Sequence, residues 1–283
     1  MWNKETEIDF FQSNLKNIEP EKLFYRINHE YYAYYPKSYK GKKEVLQSRN
    51  ALIGEYTENF CKNLLNSFAK EHNLYAVNKV ICEELELTSR TPADLALCTT
   101  PEKIQKPENI KIIFEIKMSI VNNYKYNPET GKIEFIGDYT THTGNPSLLR
   151  SDTMLKAIGK ALNIRISNDY ASKVPIMVLG NTPIAPSYKE KVDKLKEKGF
   201  IQEFWSLYPY ASIKLRKTPK EGFITLNSKE DLFSKLEEIL KLDLEFASFM
   251  LDKSQLGKFI EIASKENKLI NKAEKFLQLI RGS

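Results

Sequence analysis

Residues 110–121, with the sequence IKIIFEIKMSIV, carry the strongest β-strand pattern in the chain. Isoleucine, phenylalanine and valine dominate the segment, and such β-branched and aromatic residues favour a buried strand. Glu115 and Lys117 are two residues apart, so on a strand both side chains point to the same side, roughly 6.5–7 Å apart at Cα. Burying an acid and an amine costs free energy unless they are paired or used. The segment therefore predicts a core strand that carries a polar site.

The segments on either side of this strand predict an α/β protein. Before it, apolar residues at mostly four-residue steps over 44–71 indicate an amphipathic helix, and residues 75–82 and 95–98 indicate two strands. After it come a second helix and a short buried strand at residues 174–180. The order helix, three strands, helix, strand predicts a mixed central sheet with flanking helices.

The second helix follows the polar loop 140–145. We expect Asn145 to cap its N-terminus and Pro146 to take its first position, because both residue types favour those places. The apolar spacing predicts that its buried face is formed by Leu148, Leu155, Ile158 and Leu162.

The chain divides by pattern into three parts. Residues 1–43 combine a short helix with an arm in which tyrosines are interleaved with basic residues, and residues 44–227 form the α/β core. A hairpin at residues 122–137, which turns at Asn127-Pro128-Glu129-Thr130-Gly131, is inserted in this core. Residues 228–283 have the apolar spacing of helices and form a helical C-terminal region with ten basic and ten acidic residues.

Composition excludes several classes of protein. The three cysteines and three histidines are scattered, which argues against a disulfide framework or a structural zinc site. No GxxxxGK[ST], GxGxxG or GxSxG motif occurs, which disfavours nucleotide-driven motors, dinucleotide enzymes and α/β-hydrolases. No apolar run approaches the roughly 18–20 residues that cross a bilayer, and the first residues are polar, so we expect a cytoplasmic protein without a membrane partner. The net charge of +6 lies wholly in residues 1–227, where a polyanionic partner would bind.

Asp94 provides a second acid for the polar site on the core strand. It stands at the start of the preceding strand, so Asp94 comes opposite Glu115 if the two strands are antiparallel neighbours. The tripeptide [DE]xK by itself is uninformative, because the composition yields about four or five by chance and two occur. The other one, Glu266-Asn267-Lys268, lies in a polar helical stretch. The strand context and Asp94 therefore give the first tripeptide its weight.

This pattern resembles that of the PD-(D/E)xK nuclease superfamily, especially its type II restriction endonucleases. The signature of that family is an acid at a strand start followed by (D/E)xK on the next strand. Asp94 and, 21 residues later, Glu115-Ile116-Lys117 match it, while Ala93 between Pro92 and Asp94 departs from it. The resemblance covers about residues 44–207 and implies the αβββαβ core of restriction endonucleases, with the C-terminal helices outside it.

The resemblance also implies a metal site. Mg²⁺ would be held by Asp94, Glu115 and the backbone carbonyl of Ile116, and carboxylate oxygens are ligands that this hard cation prefers. Lys117 would then bind the attacking water and the scissile phosphate, where it stabilises developing negative charge.

A further acid is suggested by the helix that precedes the sheet. Many members of the superfamily carry GxxxE there, and Gly54-Glu55-Tyr56-Thr57-Glu58 matches this element. Glu58 would orient groups at the site or bind a second metal ion, and Glu55 is its less favoured rival.

Basic and polar residues elsewhere are candidate DNA contacts. They comprise Arg150, Lys156 and Lys160 on the second helix, His142 and Asn145 in the loop before it, and Lys40, Lys42 and Lys43 in the arm. The alternatives are a solvated basic helix face with an Asp152–Lys156 pair, a surface histidine, and an arm whose tyrosine rings cover the core.

These features together predict a Mg²⁺-dependent endodeoxyribonuclease of the type II restriction kind that acts on double-stranded DNA. Cutting both strands of a symmetric site usually takes two active sites, so we expect a homodimer. A repair, recombination or RNA-directed nuclease of the same fold, or a DNA-binding protein without catalysis, is an alternative. Another is a salt-bridge network of Asp94, Glu115 and Lys117 that only stabilises the sheet.

Overall fold

The computed structural model describes residues 1–209, 215–247, 249 and 251–282. Its internal contacts divide the chain into two compact units, Met1–Leu242 and Asp243–Ser283. The first unit is mixed α/β and the second is helical, so the predicted fold class is present at this level.

The first unit contains the predicted order of elements. Its helices are α1 (Lys4–Leu15), α2 (Pro20–Leu23), α3 (Gln47–Glu71), α4 (Ser151–Arg165), α5 (Lys189–Glu197) and α6 (Lys229–Leu240). Its strands are β1 (Tyr25–Ile27), β2 (Glu30–Tyr32), β3 (Tyr75–Val80), β4 (Ala93–Cys98), β5 (Ile110–Ile116), β6 (Asn123–Asn127), β7 (Lys132–Gly137), β8 (Ile176–Gly180), β9 (Glu203–Ser206) and β10 (Phe223–Thr225).

Six strands form the central mixed sheet in the order β10-β9-β8-β5-β4-β3. β3, β4 and β5 pair antiparallel, whereas β5, β8, β9 and β10 pair parallel. β5 therefore lies inside the sheet with a neighbour on each side. A strand in this position is covered on both faces, which explains why its sequence is apolar almost throughout.

The two faces of β5 contribute to two separate hydrophobic cores. Ile112 and Phe114 pack in the core that includes residues of α1, α3 and α6. Ile113 packs in the other core, with residues of α4 and α5. Because side chains alternate along a strand, Glu115 shares a face with Ile113 and points towards the α4 side.

The tyrosine-rich segment is part of a second sheet. β1 and β2 pair with the hairpin of β6 and β7 in the order β1-β2-β6-β7, with Tyr31 opposite Tyr126. Tyr31 and Tyr35 are buried, as are Phe10 and Phe11 of α1. Residues 1–43 thus belong to the first core, because their aromatic rings cover it. This agrees with the alternative reading of the arm.

Two predicted details of α4 are wrong. The helix begins at Ser151, and Asn145 and Pro146 precede a separate 3₁₀ turn at Ser147–Leu149. Its buried residues are Met154, Ala157, Ala161, Ile164 and Arg165. Of the predicted buried face, Leu155 and Leu162 are exposed, Ile158 is partly buried, and Leu148 is buried but lies in the 3₁₀ turn. The alanines were not counted as core positions, yet their small side chains suit the surface of a helix that lies close to a sheet.

The first unit extends beyond the predicted start of the C-terminal region at residue 228. Leu232, Leu236 and Ile239 of α6 are buried in the first core, so this helix completes the α/β unit. The spacing of these residues is helical as predicted, but periodicity does not reveal what a helix packs against.

The second unit contains α7 (Lys253–Ser264) and α8 (Leu269–Arg281). An ion pair joins Arg281 to Glu245 at 2.6 Å, and the ring of Phe249 meets that of Phe276 edge-on. Within the described parts of the chain, no helix is long and apolar enough to span a membrane.

Candidate active site

The site is formed where β4 begins and β5 ends. The two strands are antiparallel neighbours with Leu95 opposite Phe114, a register that brings Asp94 beside Glu115. Asp94 Oδ2 accepts a hydrogen bond of 2.7 Å from the backbone N–H of Ile116. The two acids that are 21 residues apart in sequence are therefore held together by the sheet itself.

Two lysines flank this pair of acids. Lys117 Nζ donates a hydrogen bond to Glu115 Oε1 and lies 3.5 Å from Asp94 Oδ2 and 3.3 Å from the carbonyl oxygen of Ile116. Lys160 Nζ, from α4, lies 3.2 Å from Asp94 Oδ1 and 2.6 Å from Glu115 Oε2. Lys160 was expected to contact DNA, but it reaches the acids because its turn of α4 packs over the ends of the two strands. Each carboxylate oxygen thus faces an ammonium group.

The charges of this cluster are strongly coupled. Burial and the negative charge of Asp94 raise the pKa of Glu115, and the two lysines oppose this only in part. Burial by itself would lower the pKa of Lys160, but Asp94 and Glu115 outweigh it, so the pKa is raised. Lys160 therefore stays protonated and charged at neutral pH.

One oxygen of the cluster lacks a hydrogen bond. Glu115 Oε2 is buried, and although Lys160 Nζ is 2.6 Å away, the angles exclude a hydrogen bond among the described residues. The Lys160 ammonium is itself a cation at contact distance, so the charge of this oxygen is paired although the oxygen accepts no aligned hydrogen bond.

The donor set fits a hard divalent cation. Two carboxylates and the Ile116 carbonyl converge, and Mg²⁺ is usually bound by one or two carboxylates together with water. A cluster of three or more His, Cys, Asp or Glu side chains with metal-binding geometry is not found in the described residues. Any metal ion here would thus rely on the backbone carbonyl and solvent for its other ligands.

Glu58 lies on the wall of the cleft that leads to these acids. The cleft has a volume of about 540 Å³ and also contains Asp94 and Lys160. Burial and the nearby charge of Asp94 raise the pKa of Glu58. Glu55 is one turn away on α3 and lines a different cleft, beside Tyr56. The geometry therefore favours Glu58 over Glu55 as the acid contributed by α3.

The same cleft contains more cations than the sequence pattern predicted. Lys156 was predicted as a DNA contact, and it is exposed on the cleft wall. Lys79 and Arg90 also line the cleft and were not singled out. Lys79 has φ of 56°, a left-handed conformation that is uncommon for a residue with a side chain. One feature of the sequence indicated these two cations. Lys79 lies near the end of β3, and Arg90 comes just before β4, the strand that carries Asp94.

A second cleft of about 480 Å³ lies further along the same two helices. It is lined by three of the predicted DNA contacts, Lys43, Asn145 and Arg150, and by the starts of α3 and α4. From Asn50 to Glu58 on α3, and from Ser151 to Lys160 on α4, the helical rise gives about 12–14 Å between the two clefts. The two clefts thus share α3 and α4 as parts of their walls. Arg150 is also paired with Asp152 at 2.8 Å.

The remaining predicted DNA contacts lie elsewhere. His142 is only 2% exposed, with its Nε2 2.9 Å from the carbonyl oxygen of Val121 and its ring stacked on Tyr34. Burial lowers the pKa of His142, which favours the neutral imidazole, and it leaves the ring almost no surface for a contact with DNA. Lys40 and Lys42 are exposed but line neither cleft.

Two polar residues outside the predicted set hold the segment that follows β5. Ser147 donates a hydrogen bond of 2.5 Å to the carbonyl oxygen of Lys117. The side chain of Asn181 bonds both the N–H and the carbonyl of Ser119, at 3.1 and 2.6 Å. These bonds fix the backbone on which the Lys117 amine is mounted. No pattern in the sequence indicated them, because each joins residues far apart in the chain.

Comparison with known proteins found no protein-family model, no curated protein and no solved structure that matches this chain.

Proposed function

We propose that this protein is a Mg²⁺-dependent endodeoxyribonuclease of the type II restriction kind, which hydrolyses phosphodiester bonds of double-stranded DNA at a specific sequence. One observation carries the proposal: Asp94, Glu115 and Lys117 converge from adjacent strands, and Asp94 lines a cleft. The order α3, β3, β4, β5, α4, β8 is also the order of elements that the sequence resemblance implies.

The chief rival is a salt-bridge network with a purely structural role. A network that only stabilises the sheet would be shielded from solvent, because ion pairs exposed to water contribute little to stability. Here the side chains of Asp94, Lys117 and Lys160 remain 18–21% exposed, and Asp94 and Lys160 line the cleft. Partial exposure at a cleft is suited to binding and adds little to stability, which favours the catalytic role.

The proposed chemistry divides among the residues by their positions. Asp94, Glu115 and the Ile116 carbonyl would hold Mg²⁺, which when bound neutralises charge on the phosphoryl oxygens and acidifies a water molecule. The Lys117 ammonium, on the same edge as these oxygens, would hydrogen-bond the scissile phosphate and the attacking water, and so stabilise the negative charge that develops. Glu58, on the wall of the cleft, would orient that water.

The two clefts supply a path for a DNA strand. Lys79, Arg90 and Lys156 border the first cleft, and Lys43 and Arg150 border the second. Contacts between such cations and phosphates release counterions, so binding should weaken steeply as the salt concentration rises. We further propose that the enzyme acts as a homodimer in the cytoplasm, because a symmetric site in duplex DNA needs two cutting centres.

Digestion of plasmid DNA tests the proposal. Purified protein with Mg²⁺ should yield discrete bands, and EDTA should stop the reaction. A smear would indicate a nonspecific repair or recombination nuclease, and a gel shift without cleavage would indicate a binding protein.

Substitutions assign the activity to the site. Lys117→Ala and Asp94→Ala should each lower the cleavage rate by at least about 100-fold, since each removes transition-state stabilisation, while DNA binding in a gel shift persists. The matched control is Lys268→Ala, in the second [DE]xK tripeptide, which should cleave as the wild type does. Wild-type rates for Lys117→Ala or Asp94→Ala would refute the assignment.

A further inference from the structure

We infer that Lys160 is a built-in counter-cation of the carboxylate pair, which a divalent metal ion must displace from Asp94 and Glu115 in order to bind. The inference rests on the proposed metal site, but it concerns the affinity for the metal ion and the stability of the metal-free protein. It therefore assigns Lys160 a positioning role in place of the DNA contact expected from the sequence.

The first support is the position of the Lys160 ammonium. Nζ bridges one oxygen of each acid, at 3.2 Å from Asp94 Oδ1 and 2.6 Å from Glu115 Oε2. A cation that links two carboxylates occupies the same place relative to them. A metal ion that binds Asp94 Oδ1 and Glu115 Oε2 therefore cannot share the position with this ammonium, since both need the same pair of oxygens.

The second support is that the hold of Lys160 on Glu115 is electrostatic and not directional. The approach to Glu115 Oε2 fails the angular requirement for a hydrogen bond. Lys160 donates an aligned hydrogen bond only to Asp94 Oδ1, at 3.2 Å, so leaving the two acids costs the ammonium one well-formed bond and not two. A metal ion, which accepts a wide range of carboxylate orientations, replaces it without such a loss.

The third support is that the Lys160 side chain can move into solvent, whereas the side chain of Lys117 is more tightly held. Lys160 stands on a different element from the acids and lines the 540 Å³ cleft, so its flexible stem can swing into solvent without a change in backbone. Lys117 is held at three oxygens, including the carbonyl of its own neighbour Ile116. Of the two ammonium groups, Lys160 is the one that can be exchanged.

Charge balance gives the consequence. The two acids and two lysines sum to zero, so a divalent ion that enters with both ammonium groups in place creates an excess of +2 among groups a few ångströms apart. Removing Lys160 lowers this excess to +1. Repulsion between like charges at short range in a partly buried site is strong, so Lys160 must weaken metal binding.

The test compares Lys160→Met with Lys156→Met by titration calorimetry with Mn²⁺, at fixed pH and salt and without DNA. Lys156 is the matched control because it lies one turn earlier on α4, lines the same cleft and forms no ion pair within the described residues. Lys160→Met should bind Mn²⁺ at least about tenfold more tightly than the wild type, and Lys156→Met within about twofold, since its charge is screened by solvent. Equal or weaker binding by Lys160→Met overturns the inference.

Thermal unfolding provides the second readout. In EDTA, Lys160→Met should unfold at a lower temperature than the wild type, because the acids lose half of their neutralising charge. Mn²⁺ should raise the unfolding temperature of the variant and so remove this difference. An unchanged unfolding temperature in EDTA overturns the inference. If Lys160→Met does not fold, Lys160→Gln is measured in its place. Lys160→Arg keeps the charge and should bind Mn²⁺ as weakly as the wild type.

The outcomes separate the inference from the proposed nuclease function. Tighter Mn²⁺ binding by Lys160→Met supports the inference even if the wild type cleaves no DNA, in which case only the nuclease function fails. DNA cleavage together with unchanged Mn²⁺ affinity in Lys160→Met leaves the nuclease function standing and removes the inference. If neither the wild type nor Lys160→Met binds Mn²⁺, the inference is overturned.

Discussion

At the scale of single residues, two glutamates one turn apart on α3 have different surroundings. Glu58 shares a cleft with Asp94, whose charge helps to raise the Glu58 pKa, whereas Glu55 lines another cleft. The GxxxE pattern in the sequence contains both residues and leaves the choice between them open. The cleft that each glutamate lines decides it.

Substitution of the two glutamates should therefore have unequal effects. Glu58→Gln should lower the rate of plasmid cleavage by about 10- to 100-fold, because it removes a charged group that orients water at the site. Glu55→Gln removes the same charge from the same helix, and this variant should cleave at the wild-type rate. Timed digests of both variants check this, and equal rates for the two would contradict the role of Glu58.

Glu7 is a second residue whose structural role is evident only from the tertiary structure. It is fully buried and accepts hydrogen bonds from the Trp2 indole at 3.0 Å, the Val121 N–H at 2.6 Å and the Tyr124 hydroxyl at 2.8 Å. Burial raises its pKa from 4.5 to about 7, although these donors favour the charged form. Glu7 thus ties α1 to the segment that follows β5.

This raised pKa predicts how stability changes with pH. Between pH 4.5 and about 7 the folded protein binds more protons at Glu7 than the unfolded chain does, so stability falls as pH rises through this window. The loss is at most roughly 3 kcal/mol. Urea unfolding at several pH values should show a smaller decline over this window for Glu7→Gln than for the wild type. Parallel pH profiles for the two proteins would contradict the shift.

At the scale of elements, α4 illustrates how a helix can be located correctly and oriented wrongly. Its apolar residues fit more than one face, and the larger ones, Leu155 and Leu162, indicated the face that is exposed. The sheet instead receives Met154, Ala157 and Ala161. The same orientation directs Lys160 to the acids, so the packing of this helix also determines which residues form the site.

Adjacent substitutions on α4 distinguish the two faces. Met154→Ala should destabilise the protein by about 2–5 kcal/mol, because it leaves a cavity in the core beneath the helix. Leu155→Ala, next in sequence and 60% exposed, should change stability by no more than about 0.5 kcal/mol. Chemical denaturation of each variant measures the change in stability. A larger loss of stability for Leu155→Ala than for Met154→Ala would support the buried face predicted from the sequence.

At the scale of the whole molecule, both hydrophobic cores lie within residues 1–242. Packing around the central sheet is completed by α6, and the second unit has its own ion pair and ring contact. The second unit also exposes large apolar side chains, among them Leu269 at 86% and Ile270 at 60%. The stability of the α/β unit should therefore be independent of the second unit.

A chain that ends at Leu242 tests this independence. It should keep a single cooperative unfolding transition with a midpoint within a few degrees of that of the full chain, because no core side chain is lost. Circular dichroism with thermal unfolding measures the midpoint. A chain that is unfolded or that melts gradually would show that the second unit supports the first.

Much of this architecture follows from the order of residues alone. Alternation and β-branching identified β3, β4, β5 and β8, and four-residue steps identified α3, since these patterns are local and each element needs one apolar face. The pairing of Asp94 with Glu115-Ile116-Lys117 could also be anticipated, because consecutive strands joined by a short loop are usually neighbours.

The rest was decided by tertiary structure, because it depends on contacts between distant residues. Burial of His142, the hydrogen bonds of Ser147 and Asn181 to the end of β5, and the arrival of Lys160 at the acids all join segments that no local pattern relates. The sequence by itself determined which acids and which amine stand on neighbouring strands, through the two-residue period of β-structure. Only the packing of α4 across the sheet determined that a second ammonium lies between them, because the rotation of a helix is set by the surface it covers.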